Sequence, residues 1–164
     1  MKTLYAYCLP LAIGAGIMGV TLSASATRTE PVPLYGTYTM YLDRAKQTFN
    51  GHLVTTDRPV SQTENFTTHC DASGCMAHSI NKRPPPATFD YQWVNGQWES
   101  VAGQQKQYII CNDGSKVDSV KVDIIKPKGE GSFSGERVIT VVGTGCPGDG
   151  PGKYWLPFTL TPAE

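Results

Sequence analysis

The chain has 164 residues, with 14 Lys+Arg balanced by 14 Asp+Glu, so its formal charge is zero. That balance excludes a strong electrostatic pull towards nucleic acid or an anionic membrane surface. The length suits one domain large enough to bury a hydrophobic core of its own.

The N-terminus reads as an export signal. Lys2 precedes an apolar run from Leu9 to Leu22, and Ser23-Ala24-Ser25-Ala26 then supplies small residues for cleavage after Ala26. The run is short for a bilayer span of ~20 residues, and Gly14, Gly16 and Gly19 interrupt it, so cleavage is favoured over a retained anchor. Cys8 precedes most of that run rather than following it, which argues against lipid attachment. The expected organisation is a signal peptide over residues 1–26 and a single secreted β-domain over residues 27–164, with no membrane span after cleavage. Lys2 is the one charge removed, so 13 basic residues face 14 acidic ones and the mature charge is −1.

Strand-like alternation begins at "LYGTYTMYLD", where Tyr38, Met40 and Leu42 share one face. Asn50-Gly51 then offers a tight turn between poorly alternating flanks, and "NFT" at Asn65 matches a glycosylation sequon. "HCDASGCMAH" sets Cys70 and Cys75 between His69 and His78. A zinc or copper site is the alternative there, but neighbouring His69 and Cys70 point to opposite faces of a strand, which makes joint ligation awkward. An exported chain with an even set of cysteines favours disulfides, and Asp71-Ala72-Ser73-Gly74 makes a turn able to close Cys70–Cys75. Cys111–Cys146 is then the remaining pair, and neither a metal nor another cofactor is expected.

"NKRPPP" at residues 81–86 reads as a stiff basic connector. "FDYQWVNGQWES" carries the clearest local signal, because Asn95-Gly96 is the preferred centre of a two-residue type I′ hairpin. The register it implies pairs Val94 with Gln97 and Trp93 with Trp98. Phe89, Tyr91, Trp93 and Trp98 then form one aromatic face, which is either core or a ligand-binding surface. "CNDGSK" turns between two further strands, and "VKVDII" places Val120, Val122 and Ile124 opposite Lys121 and Asp123. "KPKGEGSFSGE" reads as a flexible connection, and "ERVITVV" as a strand buried on both faces. "GTGCPGDGPGK" fails the phosphate-loop pattern at Pro147 and Tyr154 and reads as a disulfide-anchored surface loop. "WLPFTLTP" aligns Leu156, Phe158 and Leu160.

No stretch after residue 26 holds a helical apolar period, so the fold class is all-β: roughly eight to ten strands in an antiparallel barrel or a barrel-like sandwich, with two disulfides. Successive hairpins favour the barrel, closed by the first strand (34–43) against the last (154–162). The three histidines, His52, His69 and His78, accompany no nucleophile in a recognisable elbow, so no catalytic residue is assigned.

The segments "GTYTMYLDRAKQTFNG", "C…SGC", "WVNGQW" and "PFTLTP" resemble a group of small exported mycobacterial proteins that are similar to extracellular portions of receptor Ser/Thr kinases. The resemblance implies an extracytoplasmic β-domain for sensing or binding, secreted or held in the cell envelope, with no catalytic residues to carry over. Two functions follow. The first is a non-catalytic binding or sensing domain for a small apolar or envelope-derived ligand, lined by Phe89, Tyr91, Trp93 and Trp98 in a barrel wide enough to hold one. The second is a secreted hydrolase with His69 or His78 as general base; a side-chain-filled interior would instead leave a surface-interaction protein. The residues name no protein partner.

Overall fold

A computed structural model describes residues 30–54, 59–81 and 87–163. The predicted signal peptide and all of the Pro-rich connector except Asn81 lie outside them. Among the described residues eleven strands run in chain order: β1 (Gly36–Leu42), β2 (Thr48–Phe49), β3 (His52–Leu53), β4 (Val60–Asp71), β5 (Gly74–Asn81), β6 (Ala87–Val94), β7 (Gln97–Ser100), β8 (Gly103–Ile110), β9 (Lys116–Gly129), β10 (Ser132–Val141) and β11 (Lys153–Pro162). Among the described residues no helix is long and apolar enough to cross a membrane.

β1, β4, β5, β6, β7, β9, β10 and β11 pair antiparallel in that order, and β11 returns to β1 from Tyr38↔Pro162 to Leu42↔Phe158. The first and last strands therefore close an eight-stranded barrel, which settles the choice between barrel and sandwich. Closure removes the unpaired edges that an open sheet leaves. The first halves of β9 and β11 also carry extra strands, β8 on one and the small β2–β3 hairpin on the other. These additions raise the wall at one end.

Local chemistry fixes the hairpins. Asn95 and Gly96 take φ of 50° and 85°, Trp93 lies opposite Trp98, and their rings meet edge-on at 5.2 Å. Asn50 and Gly51 form a matching turn at φ 49° and 83° between β2 and β3. Cys70 and Cys75 are directly opposed on β4 and β5 and bonded to each other, with Cα atoms 4.0 Å apart. Cys111–Cys146, with Cα atoms 5.5 Å apart, ties the turn after β8 to the loop between β10 and β11.

"KPKGEGSFSGE" is no flexible connection: β9 continues through Gly129, β10 starts at Ser132, and only Glu130 and Gly131 turn. The glycines that suggest a loop are used for positive φ at Gly129 and Gly131 and for a bulge beside Ser132, so the strands persist around them.

Tyr38, Met40 and Leu42 of β1 and Leu156, Phe158 and Leu160 of β11 face inward and are buried. At one end Tyr38 packs edge-on against Phe66 and Phe133, with centroids 5.7 and 5.8 Å away. The segment before β1 seals that end. Its Leu34 is 0% exposed, its Leu34 carbonyl accepts from Thr68 Oγ1 on β4 at 2.6 Å, and its Val32 carbonyl accepts from Trp98 Nε1 on β7 at 2.8 Å.

Candidate functional site

The interior beyond that aromatic plug is charged. On β9 the inward residues are Ser119, Lys121, Asp123 and Ile125, so the "VKVDII" alternation is real but its polar side points in. Arg137 lies opposite Asp123 in the β9–β10 register, and its Nε and Nη2 donate to the two carboxylate oxygens at 2.7 and 2.8 Å. Lys121 Nζ stands 3.8 Å from the same carboxylate and 3.3 Å above the centre of the Phe89 ring. Tyr91 OH donates to Asp123 at 3.4 Å, and the Asp123 N–H donates to Ser100 Oγ at 2.7 Å. Glu64 on β4 is held by amides instead: Gln62 and Asn81 donate to Oε1 at 2.9 and 3.0 Å, with Ser79 Oγ 3.4 Å from Oε2. Ser119 Oγ is buried with no hydrogen-bond partner among the described residues.

Burial and pairing set the charges. Burial pushes the Asp123 carboxyl up, but the Arg137 charge and hydrogen bonds, with Lys121 and Tyr91, hold it below the usual range. Burial, and after it the Arg137 charge, lower Lys121 to about 8 against the opposing pull of Asp123 and Glu64. Burial raises Glu64 against the pull of Arg137, Asn81 and Lys121. Tyr91 is pushed well up by burial and by the Asp123 charge, so its phenol stays protonated.

Above this layer the raised wall encloses an open cleft of about 600 Å³. Leu42, Val60, Ile139 and Leu156 rise from the barrel strands, while Tyr108, Ile109 and Ile110 come from β8. Arg137 and Gln62 belong to its polar lining, and Arg44 adds a second arginine. The volume falls within the 300–1,000 Å³ usual for small-molecule sites.

The predicted aromatic face is assembled on β6 and β7. Tyr91 and Trp98 are fully buried, Phe89 and Trp93 pack half-buried against them, and none of the four lines the cleft. His78 does find a carboxylate, its Nδ1 being 2.7 Å from Asp90, but that pair is half-exposed on the outward face of β5 and β6. His52 and His69 are exposed. Sequence reasoning missed Glu64, Lys121, Asp123 and Arg137. The available signal was the four-residue set 119, 121, 123 and 125 on one strand face, whose mixed chemistry also fits a solvated face.

Residues 30–161 match the family described as the PknI serine/threonine-protein kinase sensor domain. The chain belongs to that family. Serine/threonine-protein kinase PknI of Mycobacterium tuberculosis strain H37Rv and that of Mycobacterium bovis are each 30% identical to it over 129 residues, 72% of this chain. The chain spans 22% of the length of those curated relatives. The monomer form of the M. tuberculosis PknI sensor domain superposes with a TM-score of 0.68 at 24% identity, covering 82% of this chain and 90% of that one. The dimer form gives 0.55 at 25% identity over 82% and 92%. The resemblance to extracellular portions of mycobacterial receptor kinases therefore holds, and two disulfides fit an extracytoplasmic PknI-type sensor domain.

Proposed function

We propose that this domain is a secreted or envelope-held, non-catalytic sensor whose small ligand enters the open end of the barrel and rests above Arg137. The observation that carries this is a cleft of about 600 Å³ whose aliphatic walls stand on a buried charge layer anchored by the Arg137–Asp123 pair. Apolar walls with a few fixed polar groups are what ligand sites use for affinity and orientation. In this scheme the aromatic face serves the site from behind: Tyr91 completes the polar layer, Phe89 holds Lys121, and Trp93 with Trp98 keeps the wall rigid. The hydrolase alternative draws on the His78–Asp90 pair, which faces away from the cleft.

The test is mass spectrometry of protein recovered from its native export route. Denatured protein should begin at Thr27 and weigh four hydrogens less than the reduced chain. Native protein should carry extra mass that denaturation releases, and Ile139→Trp, which fills the cleft, should abolish that mass while the fold persists. Extra mass retained undiminished in Ile139→Trp places the ligand elsewhere and overturns the proposal.

A further inference from the structure

The cleft selects charge as well as shape. Its described lining consists of seven aliphatic residues, two tyrosines, two glutamines and two arginines, with no carboxylate among them. Among the described lining residues the polar groups are arginines, glutamines and tyrosines, a set that favours an anion, because an apolar surround strengthens every unscreened charge interaction. The inner end is the more selective one. Arg137 has five N–H donors; Asp123 takes Nε and one proton of Nη2, Met40 Sδ lies 3.8 Å from Nη2, and the two Nη1 protons remain.

The charge balance beneath points the same way. Asp123 is shared between two cations, Arg137 at 2.7 Å and Lys121 at 3.8 Å. The other buried carboxyl, Glu64, is bonded by the Gln62 and Asn81 amides, and burial favours its neutral form. An anion arriving at Arg137 thus meets positive charge that one carboxylate has to divide. The opposite end of the cleft is apolar and wet: Tyr108 is 47% and Ile110 69% exposed. Exposed aliphatic surface continuous with an aliphatic wall is what a chain leaving the cleft would cover.

Resting on the cleft as the sensing site, we propose that its ligand is an anionic amphiphile: an apolar chain along the aliphatic walls, ending in a carboxylate or phosphate against Arg137. Either headgroup can accept from the Nη1 protons in a charge-assisted hydrogen bond, and the chain emerges past Ile110.

Calorimetric titration with dodecanoate, monododecyl phosphate, dodecanol and dodecyltrimethylammonium tests this. One of the two anions, or both, should bind roughly tenfold or more tighter than the alcohol, with the ammonium weakest. The better anion identifies the headgroup. Arg137→Gln with Asp123→Asn and Lys121→Met removes the arginine, its carboxylate and the second cation on that carboxylate, so no member of the cluster is left buried and unpaired, and should reduce the anions to the level of the alcohol. Ile110→Glu sits at an exposed position on β8; it should weaken the anions and strengthen the ammonium. Equal binding of all four chains overturns the anion preference and leaves the cleft as a site for apolar ligands. Binding of none, together with native mass that Ile139→Trp leaves in place, overturns the cleft itself.

Discussion

Asp123 is the residue on which the buried layer depends, since Arg137, Lys121 and Tyr91 all address its carboxylate. Removing one partner of a buried cluster strands the others, so Asp123→Asn should lower stability by about 3–5 kcal/mol, while adding Arg137→Gln and Lys121→Met should recover most of it. Urea unfolding of the two variants measures this. Lys121 makes a separate prediction. Its folded pKa of about 8 lies below the ordinary lysine value, so between pH 8 and 10.5 the unfolded chain binds more protons than the native one. Stability contributed at this position therefore rises with pH across that window, by about 3 kcal/mol in all. Lys121→Met should lack the rise, so the two proteins' stability difference changes steadily from pH 8 to 10.5; a difference independent of pH would show that Lys121 is not buried as a charge. These residues were the least legible in the sequence. The "VKVDII" alternation shows that Lys121 and Asp123 share a face, but a barrel interior can take either face, and only the Arg137 register on a strand fourteen residues away explains why this one is inside.

Strands and turns were more readable, because hairpin chemistry is local. Asn95-Gly96 fixes the Trp93–Trp98 pair through two backbone angles, and the spacing of Cys70 and Cys75 fits one turn. The β9–β10 hairpin was hidden, since Gly129, Gly131 and Gly135 imitate a loop while serving three different needs. Gly135 is the close-approach case: a Cβ there would lie 2.2 Å from the Phe158 ring and 2.9 Å from the Ile124 carbonyl. Gly135→Ala should therefore cost about 1–3 kcal/mol through forced displacement of that ring, read as a lower urea midpoint with an unchanged slope. The two disulfides separate by loop length. Cys111–Cys146 closes 35 residues and Cys70–Cys75 only 5. On the chain-entropy account they stabilise by nearly 4 and roughly 2 kcal/mol, so paired serine variants should lose stability in that order. The reverse order would mean that the short bridge acts on the native state, by holding the β4–β5 register.

At the scale of the whole molecule the barrel has two unlike ends. The segment containing Leu34 seals one end against aromatic rings, and β8 with the β2–β3 hairpin builds an open rim at the other. The charged layer between them separates the ends electrostatically, so stability and binding should respond to different residues. Leu34 is fully buried, and Leu34→Ala should cost about 2–5 kcal/mol from lost transfer energy and the cavity left behind. Affinity for dodecanoate, measured where the variant remains folded, should not move. Ile110 is 69% exposed, and Ile110→Ser should change stability by no more than about 0.5 kcal/mol while weakening dodecanoate several-fold. Thermal unfolding and calorimetric titration of both variants give four numbers. If only the expected two change, the closed end is scaffold and the open end is sensor. If Leu34→Ala also weakens dodecanoate, the plug and the cleft are one cooperative unit, and a ligand at the mouth can then be felt at the segment that enters the barrel.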